Sequence, residues 1–176
     1  LDEPSHWQLE QLVVPSYLAG KNVPPWVGEY LQCRLSCQRD PALPRRIYIS
    51  RTDAHWRRVS NEAAILEILE PLSSKEQRQL FHNVDFIVAP HGAALTNLLY
   101  CRPGTTLLEL FSPHHVDVTY WTLCEALGLS YWYLLGEFSP RTEIKQDFED
   151  IRVAGQKLEE TLNQLFGSCH QAFCKI

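Results

Sequence analysis

His91-Gly92 is the pair in this chain best placed to do chemistry. It follows Val84-Asp85-Phe86-Ile87-Val88-Ala89-Pro90 and precedes Ala93-Ala94-Leu95-Thr96-Asn97. Apolar side chains dominate the stretch before the histidine, the pattern of a strand covered on both faces of a parallel sheet. The corner presents an imidazole and consecutive backbone N–H groups beside a residue with no side chain. A helix starting there carries unpaired donors and a partial positive charge, both suited to an anion. Ligands of open α/β sheets sit beyond the carboxyl ends of the strands, so this corner is the predicted site. His91 can donate to a diphosphate or serve as an acid or base, or it can simply hold the loop. Gly92 lets a backbone or ligand approach closely. The N–H groups of Ala93 and Ala94 continue the corner, and Thr96 and Asn97 lie on the first turns, facing either the cleft or the sheet.

A second group of candidates surrounds another strand, Arg46-Ile47-Tyr48-Ile49-Ser50. Arg45, Arg46, Arg51, Arg57 and Arg58 cluster at its ends. Arg51 follows the strand directly, so its guanidinium falls beside the His91 corner if the two strands are neighbours. A planar guanidinium gives phosphate two parallel, charge-assisted hydrogen bonds, which makes Arg51 and Arg58 the expected anion ligands. The competing reading is a solvated arginine loop, and Arg45 fits that reading. Glu109 is the lone charge in Thr106-Leu107-Leu108-Glu109-Leu110-Phe111. Near a strand end it can take a ribose hydroxyl pair or balance an arginine. Asn61 and Glu62 either shape the site or cap a helix.

Metal binding is not expected. His114, His115 and Asp117 supply only three ligands within one loop. Cys33 with Cys37, and Cys169 with Cys174 around His170, lack the two-residue spacing of a zinc knuckle. Buried thiols in a reducing compartment are the preferred reading of the six cysteines, and a disulfide near the C-terminus stays open.

The elements that must position these residues alternate. Leu12-Val13-Val14 reads as a strand. A helix from Trp26 to Gln38 has Val27, Tyr30, Leu31 and Leu35 on one side, and Asp40–Pro44 is a linker. After strand 46–50 and a polar segment, Ser60 or Asn61 can cap a helix with Ala64, Ile65, Ile68 and Leu69 at helical spacing. Ser73 to Glu76 has capping-box spacing for another helix. Strand 84–90, helix 92–101, strand 106–111, helix 118–127, strand 131–135 and a helix over 146–166 complete the series. Such alternation implies a mostly parallel sheet with helices on both faces, a Rossmann-like three-layer α/β sandwich. Residues 1–40 are expected to pack as a strand, helix and linker on a domain formed by residues 41–176. One interval breaks the rhythm: barely two residues separate the helix expected to end near Glu70 from the one starting at Ser73. Either two helices meet at Pro71 or a loop and strand are missing there. The lack of any Met also suggests a piece of a longer chain.

The composition is that of an ordinary globular protein, 45% hydrophobic and 21% charged. A net charge of -5 disfavours nucleic acid as a partner. There is no apolar run of about 18 residues to span a bilayer.

Taken in order, Arg46–Arg51, Arg57-Arg58-Val59-Ser60-Asn61-Glu62, Leu72–Gln77, Ala89–Asn97, Cys101–Thr105 and Leu108-Glu109-Leu110 resemble glycosyltransferase family 61. The resemblance spans residues 10–137. It implies an inverting, GT-B-like enzyme with a nucleotide-sugar donor, typically a UDP-sugar, and no required metal or cofactor. It also implies that this chain is the C-terminal, donor-binding half. Arg51 and Arg58 would neutralise the leaving diphosphate, with the N–H groups of Gly92–Ala94. His91 would orient the diphosphate or sugar, and Glu109 would meet the ribose or base. Asn61 and Glu62 match the family's Asn-Glu pair. The acceptor would be a glycan or glycoconjugate. The compartment would be cytoplasmic in a bacterium, with peripheral membrane association open, and the Golgi or ER lumen in a eukaryote. A nucleotide-sugar-binding module without turnover is one rival. A flavodoxin-like interaction domain is the other, although Leu12–Pro15 lacks the acidic cluster of a phospho-receiver.

Overall fold

Short strands joined by helices bring distant parts of the chain into parallel register. The computed structural model describes residues 23–35, 38–66, 69–71, 77–138, 149–166 and 173–175. Its helices are α1 (Pro25–Leu35), α2 (Glu62–Leu66), α3 (Gln77–Asn83), α4 (Thr119–Leu127) and α5 (Gly155–Phe166), with a 3₁₀ helix over Ala93–Tyr100. The strands are β1 (Arg46–Tyr48), β2 (Leu69–Pro71), β3 (Phe86–Pro90), β4 (Thr106–Phe111), β5 (Ser130–Leu135), β6 (Glu137–Phe138), β7 (Ile151–Arg152) and β8 (Phe173–Lys175). Six of them form one sheet in the order β2-β8-β1-β3-β4-β5, and every neighbouring pair is parallel. β6 and β7 pair antiparallel as a separate ribbon.

Side chains alternate across the sheet and sort into two cores. Ile47, Ile87, Ala89 and Leu107 face one side, where α3, the 3₁₀ helix and α4 cover them with Leu80, Phe81, Leu95, Leu98, Leu123 and Leu127. Tyr48, Phe86, Val88, Leu108 and Leu110 face the other, against Leu158 and Leu162 of α5. Each fully buried aliphatic side chain contributes about 1.5–3 kcal/mol, which is what holds these layers together. The result is the expected α/β/α, Rossmann-like arrangement. No helix among the described residues is long and apolar enough to cross a membrane.

Five local expectations change. The helix predicted to reach Glu70 stops at Leu66, and Leu69–Pro71 form β2 by pairing with β8, so the strand that the alternation demanded is present. α1 does not bury Tyr30, which is 57% exposed; it buries Gly28, where a Cβ would lie 2.2 Å from the Ala126 carbonyl oxygen. That close approach to α4 is available only to glycine. The segment after Pro90 winds as a 3₁₀ rather than an α-helix, and the helix expected over 146–166 begins at Gly155, with β7 before it. Asn61 does not cap α2 with its side chain. Its Nδ2 donates to the Val153 carbonyl at 2.7 Å, and its Oδ1 accepts from the Val153 N–H at 3.0 Å. The strand expected over Leu12–Val14 and the capping box from Ser73 lie outside the described residues.

Candidate functional site

The chain leaves β1 toward β2 on one side of the sheet and leaves β3 toward β4 on the other. The carboxyl ends of β1 and β3 therefore flank the topological switch, the crevice where ligands of open α/β sheets bind. Ile49 extends β1 by donating its N–H to the Val88 carbonyl at 2.9 Å, which delivers Arg51 to the edge of that crevice. On the opposite lip Gly92 follows β3.

Arg51 and Gly92 touch. A Cβ built on Gly92 would sit 1.9 Å from Nη1 of Arg51 and 2.8 Å from its Cζ. Gly92 has φ 167 and ψ 173, an extended conformation open to any residue. Its missing side chain is thus a matter of space: the guanidinium lies over the glycine. The close approach expected at Gly92 is made by the protein's own arginine.

Arg57 stands beside Arg51. Its φ of 55 puts a non-glycine residue in the left-handed region, which costs about 1–2 kcal/mol. Burial and then the charge of Arg57 lower the Arg51 pKa from its ordinary value. Neither guanidinium has a carboxylate partner among the described residues, and the Nε atoms of both are buried without a hydrogen-bond partner there. Arg51 does donate from Nη2 to the Trp56 carbonyl at 3.2 Å, which braces it across the loop. Two adjacent cations, with no carboxylate against them among the described residues, stand at the switch crevice, an arrangement suited to an anion.

Behind the two arginines, alternation puts the ends of β3, β4 and β5 to common use. Glu109 is fully buried and lies on the same sheet face as Ala89 and Leu107. Its Oε1 accepts from Nδ1 of His91 at 2.6 Å, and its Oε2 accepts from the Tyr131 hydroxyl at 2.8 Å. Burial, and then the Glu109 charge, push the Tyr131 phenol well above its ordinary pKa and keep it a donor. The His91 ring stacks on Phe111 with centroids 5.2 Å apart, and the His91 backbone N–H donates to the Leu110 carbonyl at 2.9 Å. The imidazole is thus held through Nδ1, which turns Nε2 to the site. Tyr120 of α4 is 5.4 Å from it, centroid to centroid, and shares a hydrogen bond with Thr96. Burial raises the Tyr120 pKa, while Arg51 and Arg57 pull it the other way.

The structure thus gathers Arg51, His91, Gly92, Glu109 and, through Tyr120, Thr96. Ala93 is exposed at the lip, Ala94 packs against the core, and Asn97 is half-buried. Arg58, Asn61 and Glu62 belong elsewhere. Arg58 meets Asp150, with Nη2 to Oδ2 at 3.3 Å and its backbone N–H to Oδ1 at 3.0 Å. Glu62 accepts from Tyr48 and Ser50 at 2.9 and 2.7 Å and from Thr52, on the Tyr48 face of the sheet. Thr52, Arg58, Glu62 and Asp150, together with Val59 and Ser60, line a separate 520 Å³ cleft. Sequence reasoning chose Arg58 over Arg57 and missed Tyr120 and Tyr131. Adjacent arginines look alike in a sequence, and only the left-handed backbone at Arg57 and the carboxylate of Asp150 separate their surroundings.

The loop histidines also divide. His114 donates or accepts through Nδ1 with Glu149 at 2.9 Å, whereas His115 and Asp117 turn toward His91. Arg45 does not stand alone in solvent: it pairs with Asp85, as do Arg39 and Arg102, at the amino end of β3. Cys101 and Cys124 are buried free thiols and Cys33 is exposed, while Cys37 and Cys169 lie outside the described residues.

A family model described as Glycosyltransferase 61 matches residues 5–108. That span takes in Arg51, Arg57, His91 and Gly92. No curated protein matches the chain.

Proposed function

We propose, from the premise that the chain belongs to glycosyltransferase family 61, that the crevice between β1 and β3 holds the diphosphate of a nucleotide-sugar donor. Glycosyl transfer is the general activity of that family. The finer reading is a UDP-sugar donor, transfer with inversion to a glycan or glycoconjugate, and this chain as the donor-binding half of a GT-B-like enzyme.

In inversion, an acceptor hydroxyl attacks the anomeric carbon from the side opposite the diphosphate. The C–O bond to phosphate breaks and the nucleoside diphosphate departs with the bonding pair. Negative charge grows on the leaving oxygen, so fixed donors aimed there act most strongly in the transition state. Arg51 and Arg57 are those donors in this reading, and they supply positive charge without a metal. His91, oriented by Glu109, turns its other ring nitrogen to the donor and helps to orient the sugar or diphosphate. The N–H groups at Gly92 and Ala93 add the partial charge of a helix start. The base that takes the acceptor proton belongs to the acceptor-binding half.

The observation that carries the reading is the Arg51 guanidinium packed on Gly92, with Arg57 beside it and no carboxylate against either among the described residues. Calorimetric titration with UDP, without added metal, tests it in the wild type, Arg51→Ala and Arg58→Ala. Saturable binding lost in Arg51→Ala and kept in Arg58→Ala is the expected result. Equal loss in both variants, or no binding by the folded protein, would refute the assignment.

A further inference from the structure

His91, His115 and Asp117 each offer one ligand atom, and these atoms all lie within 4.8 Å of one another. A tetrahedral zinc ion with bonds of about 2.0–2.1 Å needs its ligand atoms about 3.3 Å apart. The widest gap thus closes with about 1.5 Å of side-chain adjustment, the scale of a rotamer shift in a half-buried loop. Two imidazoles and one carboxylate are a donor set for a borderline divalent transition metal rather than for Mg²⁺ or Ca²⁺, which take oxygen.

A second observation points the same way. Metal-bound histidines almost always give their other ring N–H to a carboxylate or carbonyl, which fixes tautomer and orientation. His91 has that arrangement: Nδ1 donates to the fully buried Glu109 at 2.6 Å, and Tyr131 in turn bonds Glu109 at 2.8 Å. Asp117 is positioned too, because its Oδ1 accepts the Thr119 N–H at 2.7 Å at the start of α4. The ring of His115 lies 5.4 Å from that of His91, centroid to centroid. The remaining loop histidine, His114, is committed to Glu149.

We propose that His91 Nε2, His115 and Asp117 form a binding site for a divalent transition-metal ion of the Zn²⁺ class, with an open fourth position and Glu109 as its supporting carboxylate. Occupancy engages the ring nitrogen of His91 that faces the donor crevice, so the ion and a donor hydrogen-bonded to His91 exclude one another there. The metal site stands on its own geometry and does not depend on the chain's being a transferase.

Titration of the chain with Co²⁺, followed by visible absorption and by displacement with Zn²⁺, tests the proposal. One saturable site is expected, with the d–d bands of a low-coordinate nitrogen/oxygen site and without thiolate-to-cobalt charge transfer, which would report a cysteine site elsewhere. Glu109→Gln should weaken binding by about 10–100-fold, the usual effect of removing a supporting partner. His115→Ala should weaken it at least as much, and His115 lies in a loop where the change leaves the core intact. Circular dichroism checks that each variant is folded. Thiolate bands, no saturable site in the folded wild type, or an affinity unchanged in His115→Ala would overturn it.

Discussion

Gly92→Ala offers a sharp test of how the proposed anion site is built. The backbone at this position is extended, so alanine introduces no conformational strain. The added methyl would meet Arg51 first, 1.9 Å from Nη1 and 2.8 Å from Cζ. These atoms are the far end of a flexible side chain, so the guanidinium moves rather than the strand. Because a flexible side chain gives way, the loss of stability should stay at the low end of point substitutions, about 0.5 kcal/mol. Donor binding should not escape, because a hydrogen bond to a charged group contributes about 1.5–3 kcal/mol, equivalent to about 10- to 150-fold in Kd. UDP titration of wild type, Gly92→Ala, Arg51→Ala and the double variant gives a thermodynamic cycle. If Gly92 acts by making room for Arg51, Gly92→Ala weakens binding in the wild type and has no further effect once Arg51 is alanine. The coupling energy then equals the whole single-variant effect. Additive losses would refute the reasoning, since they would mean that a phosphate, not Arg51, occupies the space over Gly92. Unfolding of Gly92→Ala would refute it as well.

Other substitutions separate strain, support and burial. Arg57→Gly should relieve the left-handed backbone, raising stability toward about 1 kcal/mol in urea unfolding while weakening UDP binding; a variant that is both less stable and equally good at binding would contradict the role given to Arg57. Glu109→Leu leaves the His91 ring N–H and the Tyr131 hydroxyl without their buried acceptor, at about 1–3 kcal/mol each, so its thermal midpoint should fall well below that of Glu109→Gln. Burial, and then Glu109, push the Cys124 thiol up to about 12, so the folded state keeps it neutral while the unfolded chain ionises near about 8.5. The stability contributed by that neutral thiol is full below about 8.5 and declines as pH rises toward about 12. Urea midpoints at rising alkaline pH should therefore fall less steeply in Cys124→Ala than in the wild type. Peptide mapping after iodoacetamide treatment at pH 8 should find Cys101 and Cys124 unmodified and Cys33 labelled, since only Cys33 of the three is exposed.

Much of the site was legible because strand ends are legible. The apolar run into Pro90 and the compact strand into Ser50 located His91 and Arg51, and the parallel pairing of Arg46–Tyr48 with Phe86–Val88 made them neighbours. Glu109 stood out as one charge in an apolar strand, but its partners did not. Tyr131 comes from the next strand, on a diagonal set by register. Arg57 and Arg58 could not be told apart, because the choice rests on one backbone angle and on Asp150, far along the chain. β2 was invisible for a related reason. Leu69-Glu70-Pro71 has little strand character of its own, continues a helical spacing of apolar residues, and becomes a strand only by pairing with β8.

The position of β8 has a consequence for how the protein comes to be folded. It lies between β1 and β2, so these two early strands never touch each other directly. As the chain emerges from a ribosome, β1 can pair with β3 soon after both are made, and β4 and β5 can join in turn. Among the described residues, the other flank of β1 and β2 find their partner only in Phe173–Lys175. Until that segment is made, one row of backbone N–H and C=O groups stays open, the kind of edge on which foreign strands add. Closing so long a loop is slow compared with pairing near neighbours. Assembly is therefore polarised: the half of the sheet bearing His91 and Glu109 can form early, and the half beyond β1 closes last.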